Sequence, residues 1–355
     1  TWCRPDLQAV IVVGDVDVDQ VENKIKTIFA DIPAAVNPQP KVLHKIPDNV
    51  DPIIGILTDP EMTSSSIEVM WKSEPMPKEL MNTDVAFMMD IIKTYIRLIM
   101  RERFTDITSQ PDAPFLGGSF YISNLCNSCD ATEGSVSFKE GDAINAFTAF
   151  MTELEKMKRF GFTDGEVQRA KENIISSYER RVEAAPTRKN AEFVRPLLYN
   201  FFFNEPYMTP EFELQIAQGL LGALNAQMLN QMLPMFLQEQ NILILYNGPE
   251  KDGLVNPTEQ QLGEIYASVK NLEIEPIKEE STNEPLLDAA ALKGSKIKKE
   301  TSTLYGATEW ILKNGVKVVV LPTDYKKDQV NIRLTMDGGR TLIATEDLPS
   351  FEDNI

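Results

Sequence analysis

The chain has 355 residues, of which 43% are apolar, and 35 basic against 53 acidic residues give a formal net charge of −18 at pH 7. This length allows two or three domains with sizeable cores, and the acidic balance argues against binding to nucleic acid or to anionic membrane surfaces. No apolar run approaches the roughly 20 residues that span a bilayer, and three cysteines without a framework spacing exclude a fold organised by disulfides.

Residues 1–32 predict a strand, a turn and a helix. Ala9–Gly14 reads as a buried strand, and the following helix places apolar side chains on one face. These side chains are Val21, Ile25, Ile28 and Phe29. Five prolines in residues 33–52 then predict an extended tether rather than a regular element.

Residues 53–272 predict a complete α+β domain, in which an antiparallel sheet is backed by several helices. Strand patterns occur at residues 53–57, 66–71, 119–123, 133–138 and 241–247. Helical patterns occur near residues 78–103, 147–157, 163–178, 189–203, 210–218, 225–237 and 257–272.

Three local signals refine the ends of these helices. Thr163 and Glu166 have the spacing of a capping box, in which each side chain binds an orphan amide of the other residue. Pro196 predicts a kink or a break in its helix. Asn256 and Pro257 have the residue types of an N-cap and a first helical position.

Residues 273–300, rich in Glu and Lys, predict a charged connector to a further domain that begins at residues 301–355. There Asn314–Gly315 predicts a hairpin with a two-residue type I′ turn, and Val330–Leu334 alternates as a half-buried strand does. The strand and helix at residues 9–29 also resemble those at residues 242–272, as two copies of one domain plan would.

Two end motifs resemble the pitrilysin/insulinase family of zinc peptidases. Trp2-Cys3-Arg4-Pro5-Asp6, followed by a strand, Gly14-Asp15 and a helix ending in Phe29-Ala30-Asp31-Ile32-Pro33, is similar to the end of a repeat domain of that family. The run from Leu312 to Val320 and the later Gly338–Gly339 resemble the opening of another repeat. Residues 53–272 look like the second domain of the family.

This resemblance implies a clamshell of four domains that encloses short peptides in an acidic-walled chamber. The first domain of such a protein would carry His-x-x-Glu-His, whose two histidines and a distant Glu bind zinc and whose motif Glu takes the proton of the attacking water. The present chain has one histidine, His44 in the tether, so it cannot contain this motif. We therefore expect no catalytic, cofactor-binding or metal-binding residue here, and expect the third domain to be a non-catalytic repeat.

Four other motifs have competing interpretations. Asp15, Asp17 and Asp19 alternate as in a calcium loop, but the later ligand positions of an EF-hand are missing, which favours helix capping. Cys126 and Cys129 form a C-x-x-C without a second pair, which favours incidental loop or strand cysteines. The Gly117–Gly118 and Gly338–Gly339 pairs favour bulges or tight turns, and the methionines at 81–100 favour core packing over a peptide groove.

The sequence therefore predicts an internal segment of a zinc-dependent endopeptidase. Residues 1–32 would end a preceding catalytic domain, residues 53–272 would be a complete non-catalytic domain, and zinc would be bound by the parent protein only. The expected partners are peptide substrates and the remaining domains of the same polypeptide, without nucleic acid or membrane insertion. The alternative is a non-catalytic peptide-binding or assembly protein of the same family. The resemblance also favours a periplasmic location.

Overall fold

In a computed structural model of the chain, residues 4–278, 293–323, 330–336, 338, 342–345 and 347 are described. The chain divides into two compact units, residues 1–283 and 284–355. Among the helices of the described ranges, none has both the length and the hydropathy needed to cross a bilayer.

The first unit contains a five-stranded sheet in the order β1-β5-β2-β4-β3. All its neighbouring strands are antiparallel except β1 and β5, which run parallel, so the predicted α+β class with a mainly antiparallel sheet is confirmed. The strands are β1 (Ile53–Asp59), β2 (Ser65–Ser73), β3 (Gly117–Cys126), β4 (Cys129–Phe138) and β5 (Ile242–Pro249).

Eight helices belong to the described part of the first unit. Helix α1 precedes the sheet, α2 follows β2, α3 to α7 lie between β4 and β5, and α8 follows β5. They are α1 (Val18–Ile28), α2 (Asp84–Thr108), α3 (Ala143–Phe160), α4 (Asp164–Ala184), α5 (Asn190–Phe203), α6 (Pro210–Ala223), α7 (Ala226–Met232) and α8 (Glu259–Val269).

A single hydrophobic core fills the space between one face of the sheet and the helices α2, α3 and α8. Ile67 and Val69 of β2 and Val136 of β4 are fully buried against apolar side chains of α2 and α3, such as Ile96 and Phe150. Gly118 of β3 is part of this packing, because a Cβ atom there would lie 2.8 Å from the ring of Phe104. The Gly117–Gly118 pair therefore lies in a regularly paired part of β3, with the close helix contact at Gly118 alone, and the predicted bulge or turn is wrong.

The cap predicted for α4 is confirmed. The backbone N–H of Thr163 donates to the Glu166 carboxylate at 2.8 Å, and the Glu166 N–H donates to the Thr163 hydroxyl at 3.2 Å. Asp17 is the N-cap of α1 and accepts a hydrogen bond from the Gln20 N–H at 3.0 Å. Capping is therefore the role of this residue in the Asp15–Asp19 run.

Three predicted details of the first unit are wrong, and a fourth is wrong in part. Residues 9–14 form no strand, because a strand needs a partner and none of the described residues pairs with them. The helix predicted from residue 78 begins at Asp84. The cap of α8 is Thr258, since the Asn256 side chain is instead bonded by the Tyr246 hydroxyl at 2.6 Å. Of the kink or break predicted at Pro196, the break is excluded because α5 continues through this residue, and the kink stays a prediction. None of the residues of α5 is buried, so water can satisfy the carbonyl that loses its partner.

The second unit contains a three-stranded sheet within its described residues. The antiparallel order is β6-β7-β8, with β6 (Ile297–Ser302), β7 (Thr308–Leu312) and β8 (Lys317–Val320). Strand β6 lies partly in the predicted connector, so the regular structure begins earlier than residue 301.

The hairpin predicted at Asn314–Gly315 is confirmed, but its turn type is wrong. Only Gly315 has a positive φ, at 90°, and its N–H donates to the Leu312 carbonyl at 3.0 Å, so a type I′ turn is excluded. Residues 330–336 are described without a strand, in contrast to the pattern at Val330–Leu334. Gly339 lies outside the described residues.

Candidate functional site: the second face of the sheet

The face of the five-stranded sheet opposite the core carries a different set of side chains. Strand residues alternate between two faces, so the neighbours of the buried residues in β2, β3 and β4 point away from the helices. Lys72 and Ala131, at one end of this side of the sheet, are buried, and the remaining side chains, called here the open face, are exposed or half-buried within the described residues of the first unit. They are Ser66, Glu68 and Met70 of β2, Ser119, Tyr121 and Ser123 of β3, Glu133, Ser135 and Ser137 of β4, Ile53 and Leu57 of β1, and Leu243 and Leu245 of β5.

Small polar and acidic residues occupy the β2–β4–β3 half of the open face. The Tyr121 hydroxyl donates to one oxygen of the Glu133 carboxylate at 2.9 Å, and the Ser123 hydroxyl donates to the other at 2.6 Å. Burial raises the pKa of Tyr121, and the hydrogen bond and charge of Glu133 and the charge of Glu68 raise it further. Tyr121 therefore stays protonated as a donor, and both carboxylates give this half a negative potential.

Apolar residues occupy the β1–β5 half of the same face. Ile53 and Leu57 of β1 are 53% and 51% exposed, and Leu245 of the neighbouring β5 is 36% exposed. The open face therefore offers an apolar strip beside hydroxyl and carboxylate groups. Such a surface can contact both side chains and polar backbone groups of an extended peptide.

Strand β3 forms one edge of this sheet. Among the described residues, those of β3 pair with β4 on one side only, from Gly117 to Cys126, with an irregularity between Asn124 and Cys126. An edge strand has backbone N–H and C=O groups that can pair with another extended chain. The edge and the polar half of the open face therefore adjoin each other.

The tether is attached to the other end of the sheet by a pair of asparagines, called here the Asn49–Asn241 clasp. The Asn49 N–H donates to the Asn241 side-chain oxygen at 2.8 Å, and the Asn241 N–H donates to the Asn49 carbonyl at 2.9 Å. Asn241 has a φ of 62°, which asparagine tolerates better than most residues. Nearby, the ammonium group of the buried Lys72 donates to the Pro47 carbonyl at 2.7 Å. Residues 47–49 are thereby fixed against the sheet.

A buried ionic cluster holds the helices behind the sheet, and sequence reasoning missed it. Arg103 of α2 donates to the Glu166 carboxylate through Nε at 2.7 Å and through Nη2 at 3.0 Å, and to the Gly161 carbonyl at 2.8 Å. Glu153 of α3 lies 3.4 Å from Arg103 Nη1. Burial alone would raise the pKa of Glu166, but the hydrogen bonds and charge of Arg103 outweigh it and lower that pKa. Glu166 thus both caps α4 and joins α4 to α2.

The sequence analysis predicts no catalytic, cofactor-binding or metal-binding residue in this chain. His44 lies in the tether, and its backbone carbonyl accepts a hydrogen bond from the Ser128 hydroxyl at 2.7 Å. Within the described residues, no group of three or more His, Cys, Asp or Glu side chains could hold a metal ion. The expectation that this chain binds no zinc stays a prediction. Of the methionines, Met100 belongs to the core and Met88 packs partly against it.

The sequence and the fold of this chain are similar to those of known proteases. The family described as "Peptidase M16 inactive domain" matches residues 1–174. The fold resembles that of the periplasmic protease PqqL from Escherichia coli with a TM-score of 0.67 at 17% identity, covering 86% of this chain and 34% of that one. It also resembles a predicted insulinase family protease from Yersinia pestis, with a TM-score of 0.60 at 14% identity over 72% of this chain and 54% of that one. These two likenesses show that the chain shares the fold of both proteins.

Among curated proteins, a "Zinc protease PQQL-like" from Arabidopsis thaliana is 20% identical over 334 residues, covering 93% of this chain and 31% of that protein. The resemblance found in the sequence is thereby confirmed as a similarity: residues 1–174 match the M16 inactive domain, and the chain is similar to a protein described as a zinc protease. It spans about a third of the length of the Arabidopsis and Escherichia coli proteins, at 31% and 34%.

Proposed function

We propose that this chain is a non-catalytic segment of a zinc-dependent endopeptidase, and that the open face forms part of the wall of its peptide chamber. The family match to an inactive domain and the zinc protease among the relatives support the assignment to such a parent. One observation supports the proposed position of the open face in the chamber wall. The five-stranded sheet has the hydrophobic core on one side and exposed hydroxyl, carboxylate and apolar groups on the other.

The proposal includes the domain plan of the sequence analysis. Residues 1–32 would complete a preceding domain, and α1 supports this because none of its residues is buried, with Val18 and Ile28 73% and 71% exposed. The β6-β7-β8 sheet would open a further repeat. Zinc would be held by the parent outside this chain, and a periplasmic location is proposed from the printed name of the Escherichia coli neighbour.

A charge inversion on the open face tests whether this face lines the peptide chamber. In the full-length parent, Glu68→Lys reverses a charge on β2, and Glu172→Lys makes the same change on the exposed surface of α4, where Glu172 accepts only from Gln168 within the described residues. We expect Glu68→Lys to raise KM severalfold for a basic quenched-fluorescence peptide and to lower it for an acidic one. Glu172→Lys should leave both within about twofold.

The opposite signs exclude a general folding defect as the cause. Equal kinetics of the wild type and the Glu68→Lys variant with both peptides would contradict the placement of the open face in the chamber. The alternative, a family member that binds peptides or assembles with a catalytic partner without cutting, is distinguished by the residues upstream of Thr1. It requires that they contain no His-x-x-Glu-His motif and that the full-length protein cleave no peptide.

A further inference from the structure

The tip of the β3–β4 hairpin places two cysteines opposite each other. Asn127 and Ser128 form a two-residue turn, and the strand register pairs Cys126 directly with Cys129. Opposed residues of an antiparallel pair have Cα atoms about 4.5–5.5 Å apart, which lies within the roughly 4.4–6.8 Å that a disulfide spans. The sequence spacing alone favoured incidental cysteines, whereas the register makes them geometric partners. Both are free thiols in this structure.

The two thiols differ in their surroundings. Cys126 is half-buried, and its sulfur lies 3.4 Å from the Ser128 hydroxyl oxygen. That hydroxyl, together with the backbone N–H groups of Ser128 and Cys129, lowers the pKa of the Cys126 thiol. Cys129 is buried, its thiol donates to the Asp130 carbonyl at 3.2 Å, and burial followed by the proximity of Cys126 raises its pKa. One thiol is therefore accessible and stabilised as a thiolate, and the other is protected beside it.

We propose that Cys126 and Cys129 form a thiol–disulfide exchange site that reacts with low-molecular-weight disulfides such as oxidised glutathione. The Cys126 thiolate attacks one glutathione sulfur, so that a mixed disulfide forms and one glutathione thiolate leaves with the proton of Cys126. Cys129 then loses its proton and attacks the Cys126 sulfur. This forms the Cys126–Cys129 disulfide and releases the second glutathione, which takes that proton. Two protein thiols are oxidised and one oxidised glutathione is reduced to two thiols.

The site is connected to the tether as well as to the sheet. The Ser128 hydroxyl has one proton, which it can give either to the Cys126 sulfur or to the His44 carbonyl at 2.7 Å. The Asn124 side chain bridges the Cys126 carbonyl at 3.0 Å and the Asp130 carboxylate at 2.9 Å. These contacts hold the turn in the geometry that keeps the two thiols opposed. Closure of the disulfide fixes the part of the hairpin that contacts residue 44.

The test uses the whole reduced chain, oxidised glutathione as the probe, and intact-mass and peptide-map readouts. Wild type and the matched control Cys3→Ser should each lose two hydrogens, retain no glutathione at residue 126, and regain the thiols with dithiothreitol. Cys129→Ser should hold one glutathione on Cys126. In Cys126→Ser, the remaining Cys129 should react at least about tenfold more slowly, because it is buried.

A second measurement separates the folded geometry from the sequence spacing. Alkylation of Cys126 should be faster than that of Cys129 in buffer, and the difference should vanish in urea. The proposal is overturned if glutathione remains on Cys126 in the wild type, if both thiols stay reduced while Cys3 reacts, or if the rate difference persists in urea.

Discussion

The two faces of the five-stranded sheet differ although they are built from alternate residues of the same strands. On β2, Ile67 and Val69 are fully buried against the helices, whereas their neighbour Glu68 is exposed on the open face. The helix-covered face is constrained by packing, so its side chains must keep their volume. The open face has no such constraint from the described residues, and its residue types can be selected for what they contact. In β2, therefore, the residues that stabilise the fold and the residues proposed to contact a peptide lie on opposite faces of one strand.

The buried ionic cluster gives the largest expected effect on the helix-covered side. Arg103→Met should reduce the free energy of unfolding by about 3–5 kcal/mol, because it leaves the buried Glu166 without its charged partner, whereas Glu153 keeps its ion pair with Lys156 at 2.9 Å. Urea denaturation measures this effect. The control Arg169→Met removes an ion pair between half-exposed side chains, with Glu102, and should cost less than about 1 kcal/mol. Equal losses of unfolding free energy in both variants would show that the buried cluster stabilises the fold no more than an exposed ion pair does.

The same cluster predicts a dependence of stability on pH. The pKa of Glu166 is lowered in the folded chain from the ordinary value of 4.5, so the unfolded chain takes up a proton first as the pH falls. The stabilisation is complete above that value and is lost as the pH falls through the lower pKa of the folded state. Arg103→Met should therefore show a smaller loss of stability between neutral and acid pH than the wild type does.

Adjacent residues of β2 test the difference between the faces directly. Ile67→Ala should cost about 2–5 kcal/mol in urea denaturation because it opens a cavity in the core. Glu68→Ala, one residue further, should change stability by no more than about 0.5 kcal/mol. Similar losses of stability at both positions would contradict the account, because they would mean that the Glu68 side chain is packed as tightly as the core.

The turn after α3 should respond to a single methyl group. Gly161 has a φ of 69°, and an added Cβ atom would overlap the side chain of Asn230, which bonds both backbone groups of Phe162. Gly161→Ala should cost about 1–3 kcal/mol. Gly219→Ala in α6 meets no atom within 4 Å and should stabilise by about 0.5–1 kcal/mol, since alanine favours helix. A thermal-melting comparison in which both variants shift the same way would refute this account.

The Asn49–Asn241 clasp should give the smallest effect. Asn241→Gly keeps the positive φ but removes the acceptor of the Asn49 N–H and the donor to Asp48. We expect a loss of about 1 kcal/mol and faster hydrogen exchange at the Asn49 amide. Asn37→Gly is the matched control. Asn37 also has a positive φ, of 46°, and lies in the same tether as Asn49. Unchanged exchange at Asn49 in the Asn241→Gly variant would contradict the clasp.

Sequence patterns correctly predicted the features that depend only on residues close together in the chain. The capping box at Thr163 and the strand pattern at residues 66–71 depend on residues a few positions apart, and both occur as predicted. The strand predicted at residues 9–14 failed because pairing needs a partner that no local pattern supplies. The Arg103 cluster joins residues 50 and 63 positions apart, and the Asn49–Asn241 clasp joins residues 192 positions apart. Their partners could not be deduced from a single sequence, although the position of Arg103 on the same helix face as Ile96 and Ile99 is a sequence signal for a charge that needs a partner.

Zinc content and peptide cleavage, measured on this chain and on the full-length polypeptide side by side, test the central claim most directly. We predict that the isolated chain holds no stoichiometric zinc and cleaves no quenched-fluorescence peptide. The full-length protein should do both and lose cleavage when the Glu of its His-x-x-Glu-His motif is changed to Gln. Chelator-sensitive cleavage by the isolated chain, or a full-length protein without zinc and without activity, would contradict the account.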